Sequence, residues 1–340
     1  MLEIEHLAAA QAGDEHAFAA LTRPLERELH VHCYRMLGTF DDADDAIQET
    51  LMRAWRQIDQ FEPRAPFRAW LYRIATNVCL TMLTRRARRG EVLQSTFEGG
   101  RSETGRDQGE DVHLDPYPDL LLDELLPRPS SPEETIEQEE SVELAFIAAV
   151  QLLTPRQRAV LLLRDVIGYS VAEVASMLAT SVAGINSTLQ RARTTLEQER
   201  TAARVTRPHS RTTYETEQAL VQRLVAAWHT ADIPSLVAIL TEEAVFTMPP
   251  QPARYVGRGE IGKFLATVPG SGRLDRFRLV PIRANRQPAF AVYYRNSDDG
   301  AYEAHAILVI AIEGDAIASL TRFTNPGLFR RFGLPATPDG

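Results

Sequence analysis

The side chains with the clearest potential for chemistry lie on one face of a predicted helix near residue 190. Ile185, Leu189 and Ala192 form an apolar stripe at helical spacing, so the opposite face presents hydroxyl, amide and guanidinium groups. Such groups read base edges and bind phosphates in the DNA major groove. The candidate residues on this face and its flanks are Asn186, Ser187, Gln190, Arg191 and Arg193. A solvated face on an ordinary helical hairpin is the alternative.

A second candidate surface combines aromatic, amide and guanidinium groups between residues 67 and 89. If this segment is one continuous helix, Trp70, Arg73 and Asn77 share the face opposite its apolar side chains. Unstacked bases of a single strand stack on aromatic rings, and an arginine cluster such as RRARR at 85–89 suits the phosphate backbone. A Trp70 packed in the core is the alternative.

Residues 41–58 form a third predicted helix, whose outward face is charged. Four aspartates crowd its start, where the helix dipole favours negative charge. The side chains expected to be buried are Ile47, Leu51, Ala54, Trp55 and Ile58, and those expected to face outward are Gln48, Glu49, Met52, Arg53 and Arg56. Taken alone, this pattern is typical of a solvated surface helix.

Local start signals predict the helices that position the first of these surfaces. Residues 154–157 and 170–173 each match a capping box, and Pro155 occupies a first helical position. A break at Gly168-Tyr169 ends the first helix, and a third helix is expected from Thr180-Ser181 onward. Two helices joined by a tight turn form a helix-turn-helix, with the polar face on its second helix.

Composition and charge distribution bound the class of protein. The chain of 340 residues is 44% hydrophobic and 24% charged, as is typical of globular domains. Its net charge of −9 is uneven, because residues 98–143 contain fifteen acids and three arginines, which leaves the remaining residues at +3. We recognise no signal peptide and no apolar run long enough to cross a bilayer. We therefore expect a cytoplasmic protein without membrane contact.

The spacing of cysteines and other ligands predicts no metal site. Cys33 and Cys79 are the only two cysteines, and each lies beside apolar neighbours in a predicted helix. We expect reduced core thiols, no bound metal and no cofactor.

The chain divides into three predicted domains and a linker. Helical periodicity covers residues 1–92 and 136–204, which we expect to form two all-α domains. Residues 93–135 are rich in glycine, proline, serine and acids, which is typical of a flexible linker. Residues 214–340 begin with two helices and continue with β-rich runs separated by turn signals such as DDG and EGD. That order predicts an α+β domain with a curved antiparallel sheet.

The order of these motifs closely resembles the extracytoplasmic-function group of the bacterial sigma-70 family. The resemblance rests on HCYRMLGTFDDADDAIQETLMRAWRQIDQF, FRAWLYRIATNVCL, the acidic linker and LTPRQRAVLLLRDVIGYSVAEVASMLATSVAGINSTLQRAR. It implies that the first domain is a sigma-2 domain, which clamps the β′ subunit of core RNA polymerase and captures the melted −10 element. The second domain would be a sigma-4 domain, which reads the −35 element and docks on the β flap.

The resemblance also implies roles for individual residues. Those expected to face β′ are Asp45, Gln48, Glu49, Arg53 and Arg56. Those expected to bind the −10 strand and its phosphates are Trp70, Tyr72, Arg73, Asn77, Arg85, Arg86, Arg88 and Arg89, with a flipped base near Asn77. The −35 element would be read by Asn186, Ser187, Gln190 and Arg191, with Arg193 at the flank. Asn186 stands where many relatives carry a basic residue, which leaves the −35 sequence open.

The acidic linker has a candidate role of its own. In this family the connector between sigma-2 and sigma-4 threads basic channels of the polymerase. An acidic, flexible segment resembles nucleic acid in charge, so we hypothesise that the linker occupies the RNA path before the transcript does.

Residues 214–340 resemble the SnoaL-like cone fold of ketosteroid isomerases and nuclear-transport-factor proteins. This fold includes enzymes and non-enzymes, so function depends on the residues of its pocket. Isomerase relatives carry a general base where this chain has Met248, whose thioether takes up no proton, so we expect no catalytic residue. The candidate ligand pocket consists of Trp228, Met248, Tyr255, His305 and Arg322.

Three roles remain open for this C-terminal domain: a brace packed on sigma-2 or on the linker, a small-molecule sensor, and a residual enzyme. The sequence favours the brace, with the sensor next. A rival interpretation of the whole chain is a one-component transcription factor, which binds duplex DNA by its helix-turn-helix and senses a ligand. The favoured interpretation requires core RNA polymerase and promoter DNA as partners.

Overall fold

The computed structural model describes residues 2–63, 65–96, 115–119, 153–206, 213–249, 251–297 and 300–338. The chain forms two compact units. The first unit contains residues 1–114 and 140–202, and the second contains residues 115–139 and 203–340. Both predicted helical domains therefore contribute to the first unit, and a described part of the predicted linker belongs to the second. Among the described residues, no helix is long and apolar enough to cross a membrane.

Four helices form the N-terminal part of the first unit. They are α1 (Leu2–Gln11), α2 (Glu15–Leu37), α3 (Phe40–Gln57) and α4 (Phe67–Thr96). Helix α2 begins after Asp14, whose carboxylate accepts hydrogen bonds from the N–H groups of His16 and Ala17. It ends at Gly38, whose φ of 90° is a left-handed conformation that glycine adopts without strain.

The buried face of α3 differs from the predicted stripe. Its buried side chains are Phe40, Ala43, Ala46, Thr50 and Ala54. The prediction is confirmed for Ala54 and Ile58 but wrong for Ile47, Leu51 and Trp55, which are only partly buried. Small side chains let α3 approach α2 and α4 closely, so the larger apolar groups fit only at the edges of the contact.

The predicted helix-turn-helix is confirmed. Its helices are α5 (Pro155–Leu161), which continues into a π-helical turn at Leu162–Val166, α6 (Val171–Met177) and α7 (Val182–Thr206). Both capping boxes are present: Thr154 pairs reciprocally with Gln157, and Ser170 pairs reciprocally with Glu173. The apolar stripe of α7 is buried at the predicted positions 185, 189 and 192.

Side chains from these two helical groups meet inside the first unit. Arg158 on α5 is 4% exposed and donates hydrogen bonds to the carbonyl of Met36 on α2 and, at 3.3 Å, to that of Leu153. Burial lowers the pKa of Arg158 to about 10, which still leaves the guanidinium charged at neutral pH. A buried cation therefore joins the helix-turn-helix to the main chain of α2.

An aromatic contact also joins the two helical groups. The ring of Tyr169, just after α5, is 5.8 Å from the ring of Tyr72 on α4, measured between centroids. Its hydroxyl accepts a hydrogen bond of 3.2 Å from Arg68, which also binds both carboxylate oxygens of Glu28 at 2.8 Å. The bidentate ion pair holds the guanidinium 4.8 Å from the Tyr72 centroid, a cation–π distance.

The second unit is an α+β domain with a six-stranded sheet. Its helices are α8 (Tyr214–His229), α9 (Ile233–Ala238), α10 (Arg258–Thr267) and α11 (Gly327–Arg331). Its strands are β1 (Leu240–Met248), β2 (Gln251–Val256), β3 (Phe277–Ala284), β4 (Gln287–Tyr294), β5 (Glu303–Glu313) and β6 (Ala316–Phe323). The strand order is β2-β1-β6-β5-β4-β3. Neighbouring strands are antiparallel, as predicted, except for the parallel pair β1–β6.

One core fills the space between the sheet and helices α8, α9 and α10. Ala306, Leu308 and Ile310 alternate along β5 and contribute to this core, so their face is the inner face of the sheet. Trp228 on α8 and Phe264 on α10 contribute from the helical side. The two helices that precede the sheet in sequence, α8 and α9, and the later helix α10 thus cover the inner face of the sheet, as the predicted cone requires.

Candidate polymerase and nucleic-acid interfaces

The outward side of α3 borders a groove shared with α4. The groove has a volume of about 310 Å³ and is lined by Asp45, Gln48, Glu49, Met52, Arg53, Val78, Thr81, Met82 and Arg85. Four of the five residues predicted to face β′ line it, and the fifth, Arg56, is exposed on the same helix. Glu49 and Arg53 form an ion pair of 2.6 Å. Met52, which is 48% exposed, adds an adaptable apolar surface of the kind found in protein interfaces.

Trp70 lies in the core, contrary to the prediction that it shares an exposed face with Arg73 and Asn77. It is 7% exposed, and its ring lies 5.0 Å from Phe61 and 5.5 Å from Phe67 between centroids. The segment between α3 and α4 brings Phe61 over the start of α4, so this side of the helix has a cover that helical periodicity does not reveal. Arg73 and Asn77 are exposed as predicted.

Tyr72 is also buried, at 2% exposure, with the ring of Tyr169 on one side of it. Further along α4 the arginine cluster is more open. Arg85 and Arg88 are exposed, and Arg86 lies 3.5 Å from Asp42 of α3 in an ion pair. The side chain of Arg89 lies outside the described residues.

The prediction that the polar face of α7 is exposed is confirmed. All five predicted residues, Asn186, Ser187, Gln190, Arg191 and Arg193, are exposed. Arg193 donates three hydrogen bonds to the carboxylate of Asp165, at 2.8, 2.9 and 3.2 Å, which hold it at the flank of the helix. The other four side chains occupy the first turns of α7, the part of a recognition helix that contacts base edges.

The five candidate pocket residues of the second unit belong to two neighbouring sets. Trp228, Met248 and Tyr255 contact the inner core, where the Tyr255 ring stacks on Phe264 at 4.2 Å between centroids. His305 and Arg322 lie side by side on β5 and β6, where Arg322 Nη2 donates to His305 Nε2. Burial and the Arg322 charge lower the pKa of His305 to about 4, so this imidazole is neutral at pH 7.

The sequence favoured a brace packed on sigma-2 or on the linker, but it did not identify the residues of any such contact. Residues 115–119, with the sequence DPYPD, pack on the turn between β3 and β4. Tyr117 is 2% exposed, and its N–H and C=O bond the side-chain oxygen and the N–H of Asn285, at 3.2 and 2.9 Å. Asn285 Nδ2 also donates to the carbonyl of Asp115 at 3.2 Å.

Asp119 adds charged hydrogen bonds to this contact between residues 115–119 and the β3–β4 turn, which we call the linker anchor. Its carboxylate accepts hydrogen bonds from the N–H of Arg286 at 2.7 Å and from the guanidinium of Arg283 at 3.3 Å. Asn285 and Arg286 both have positive φ values, 52° and 67°, so the turn that receives the linker is of the primed hairpin type. The expectation of a flexible linker over 93–135 is therefore wrong for residues 115–119, and most of its other residues lie outside the described ranges.

Comparisons with known proteins agree with these features. Profiles of Sigma-70 region 2, of Sigma-70 region 4 and of the SnoaL-like domain match residues 21–89, 143–196 and 221–320. The chain is 40% identical over 324 residues to the ECF RNA polymerase sigma factor SigG of Mycobacterium tuberculosis (strain ATCC 25618 / H37Rv), which covers 94% of this chain and 84% of SigG. It is 31% identical over 194 residues to SigM of the same strain, covering 57% of this chain and 82% of SigM.

A solved structure shares the fold. The crystal structure of the Mycobacterium tuberculosis extracytoplasmic function sigma factor SigJ superposes with a TM-score of 0.56 at 22% identity, covering 94% of this chain and 100% of SigJ. The order of helical segments, helix-turn-helix and cone is the same as the order of the matched profiles. This chain belongs to the extracytoplasmic-function group of the sigma-70 family and is an RNA polymerase sigma factor with a SnoaL-like C-terminal domain.

Proposed function

We propose that this sigma factor binds the β′ clamp through the α3 groove, the −10 strand through the exposed side of α4 and the −35 element through the first turns of α7, with the β flap contacting its sigma-4 domain. The observation that carries the proposal is the polar face of α7, which is exposed on a doubly capped helix-turn-helix. Partnership with core polymerase also places its action in the cytoplasm.

Run-off transcription with purified core polymerase tests this assignment against the rival one-component factor. Transcription from a cognate promoter only when the protein is added supports a sigma subunit. Binding of the free protein to duplex promoter DNA, with no transcription across a promoter library, supports the rival.

The burial of Trp70 and Tyr72 divides the −10 residues into two groups. Arg73 and Asn77 are exposed, so they contact the strand directly, with phosphates bound by the arginines that follow. Trp70 supports the start of α4 from the core. Tyr72 reaches a base only after Tyr169 has moved away from it.

Arg191→Ala is expected to weaken binding of the holoenzyme to its promoter by about 5- to 150-fold, because one arginine contact to a base edge contributes about 1–3 kcal/mol. The guanidinium of Arg193 already binds the carboxylate of Asp165, so Arg191 supplies the outward-facing guanidinium in these turns. Fluorescence anisotropy of a labelled promoter measures the change. Arg23→Ala, which removes an exposed arginine of α2, is the matched control, and equal affinities of the two variants would contradict the assignment.

We further propose that the C-terminal domain acts as a brace on the linker. The support for this role is the DPYPD anchor, in which main-chain and side-chain hydrogen bonds fix residues 115–119 to the β3–β4 turn. Residues 115–119 lie between the two DNA-binding segments in sequence. Fixing them to the cone shortens the free length of chain that joins sigma-2 to sigma-4, and so limits how far these can separate on the polymerase.

Asn285→Gly is expected to release this anchor while keeping the turn. Glycine adopts the positive φ of this position, but two side-chain hydrogen bonds are lost, which corresponds to about 1–3 kcal/mol. Hydrogen exchange of residues 115–119 should accelerate about 5- to 150-fold. Run-off output should change in the same direction as in a chain truncated after residue 206.

Asn296→Gly, at an exposed asparagine of the same domain, is the control for this prediction. Unchanged exchange in the Asn285→Gly variant would show that the anchor does not depend on the amide. Accelerated exchange with unchanged transcription would show that the anchor forms but does not regulate.

A ligand-sensing role is the second candidate for the C-terminal domain, and it is favoured by the pair of His305 and Arg322 beside the inner core. The proposal includes no catalytic role. The end of β1 carries Met248 at the position of the general base of isomerase relatives, and a thioether does not accept a proton there.

A further inference from the structure

One end of the sheet in the second unit gathers polar and aromatic side chains from five strands. Strands β1, β4 and β6 end there, and β3 and β5 begin there. The parallel register pairs Phe246 with Leu320 and Thr247 with Thr321, so the next pair along these strands is Met248 and Arg322. The ring of Phe277, at the start of β3, lies 6.0 Å from the guanidinium carbon of Arg322.

A β-bulge directs His305 toward this cluster. On β5 the residues opposite Val292 and Tyr293 are Ala306 and Ala304, so His305 is the extra residue of the pair. Its ring lies 5.7 Å from Phe277 and 5.4 Å from Tyr294 between centroids. Without the bulge, strict alternation would turn the residue before Ala306 to the opposite face of the sheet.

Arg322 is a largely buried cation in this cluster. Its hydrogen-bond partner in the described part of the chain is the neutral imidazole of His305, and the ion pairs among the described residues do not include Arg322. Its Nε–H is buried without a hydrogen-bond partner there, and so is the Nε1–H of Trp228, a residue 5% exposed in the adjoining core. Buried charges in proteins are normally paired with an opposite charge, so an anion is the missing component.

We infer that Arg322 and His305 bind the carboxylate of a small organic acid, whose apolar part lies against Phe277, Tyr294 and Met248. A guanidinium fork matches the two oxygens of a carboxylate, and a single arginine beside a neutral histidine suits one negative charge better than the two of a phosphate. The aromatic and thioether groups suit an apolar body attached to that charge. This site is separate from the linker anchor on the β3–β4 turn, so either assignment stands if the other fails.

Isothermal titration calorimetry on the full chain tests the inference with acetate, hexanoate, benzoate and 2-naphthoate, each compared with its primary amide. At least one acid with an apolar body should bind with a Kd of about 1 mM or tighter, and its amide about tenfold or more weakly. Arg322→Gln should weaken the acid about tenfold or more, and Arg322→Lys should weaken it less, because lysine keeps the charge without the fork.

Arg254→Gln, at an exposed arginine of β2, is the matched control and should bind the acid as the unmodified chain does. Circular dichroism of the Arg322 variants checks that the domain remains folded. The inference is overturned if none of the four acids binds, if an amide binds as tightly as its acid, or if folded Arg322→Gln binds the acid with unchanged affinity.

Discussion

Reversing the charge of Asp45 and Glu49 together, as Asp45→Arg with Glu49→Arg, is expected to abolish binding of this sigma factor to core polymerase. Both carboxylates line the groove between α3 and α4, and placing like charges against a complementary protein surface costs several kcal/mol. The Glu49 change also sets two cations together, because Arg53 lies 2.6 Å from that carboxylate. A loss of affinity of about 100-fold or more is expected in a pull-down or anisotropy titration with core enzyme.

The control for this change is Glu26→Arg, at an exposed carboxylate on α2 outside the groove. It reverses one charge where the double variant reverses two, so long-range electrostatics alone would weaken binding of both proteins, in proportion to the charges reversed. Unimpaired holoenzyme assembly by the folded double variant would return the α3 face to the status of an ordinary solvated surface.

Arg158→Met is expected to lower the free energy of unfolding of the first unit by about 2–4 kcal/mol. The substitution removes charged hydrogen bonds to the carbonyls of Met36 and Leu153 and leaves those acceptors buried. Methionine fills part of the same space, so the loss reports the hydrogen bonds more than a cavity. Urea titration followed by tryptophan fluorescence measures it in a Trp228→Phe background, where the two remaining tryptophans, Trp55 and Trp70, lie in the first unit.

Arg156→Met provides the comparison, since it makes the same substitution two residues away at an exposed position. It should change the free energy of unfolding by no more than about 0.5 kcal/mol. If the two variants unfold at the same urea concentration, the buried guanidinium contributes nothing to the junction between α2 and α5.

Local signals gave the most reliable predictions from this sequence. The capping boxes at Thr154 and Ser170 place helix starts because they involve a side chain and an amide three residues away, which the sequence displays directly. The exposed face of α7 followed from one short apolar stripe. The candidate DNA-reading residues of α7 were therefore predicted together with their exposure to solvent. Their contacts with promoter DNA stay a prediction.

Predictions failed where burial depends on segments far apart in sequence. Trp70 lies beneath Phe61, and no periodicity within α4 contains that information. The linker anchor joins Tyr117 to Asn285, 168 residues away. A tyrosine between two prolines, followed closely by LLLDELL within an acidic linker, was a signal that something would cover it, but it did not identify the β3–β4 turn. The bulge at His305 likewise depends on how β5 pairs with β4.

The contact between Arg158 and α2 should be visible in the effects of substitutions at position 158 but not in those at position 36. Arg158 bonds the main-chain carbonyls of Met36 and Leu153, and every amino acid supplies such a carbonyl. In a saturation mutagenesis scan the contact should register as intolerance at position 158 alone, with no compensating substitution at position 36. Covariation between homologous sequences would miss it for the same reason, although it joins two parts of the chain 122 residues apart.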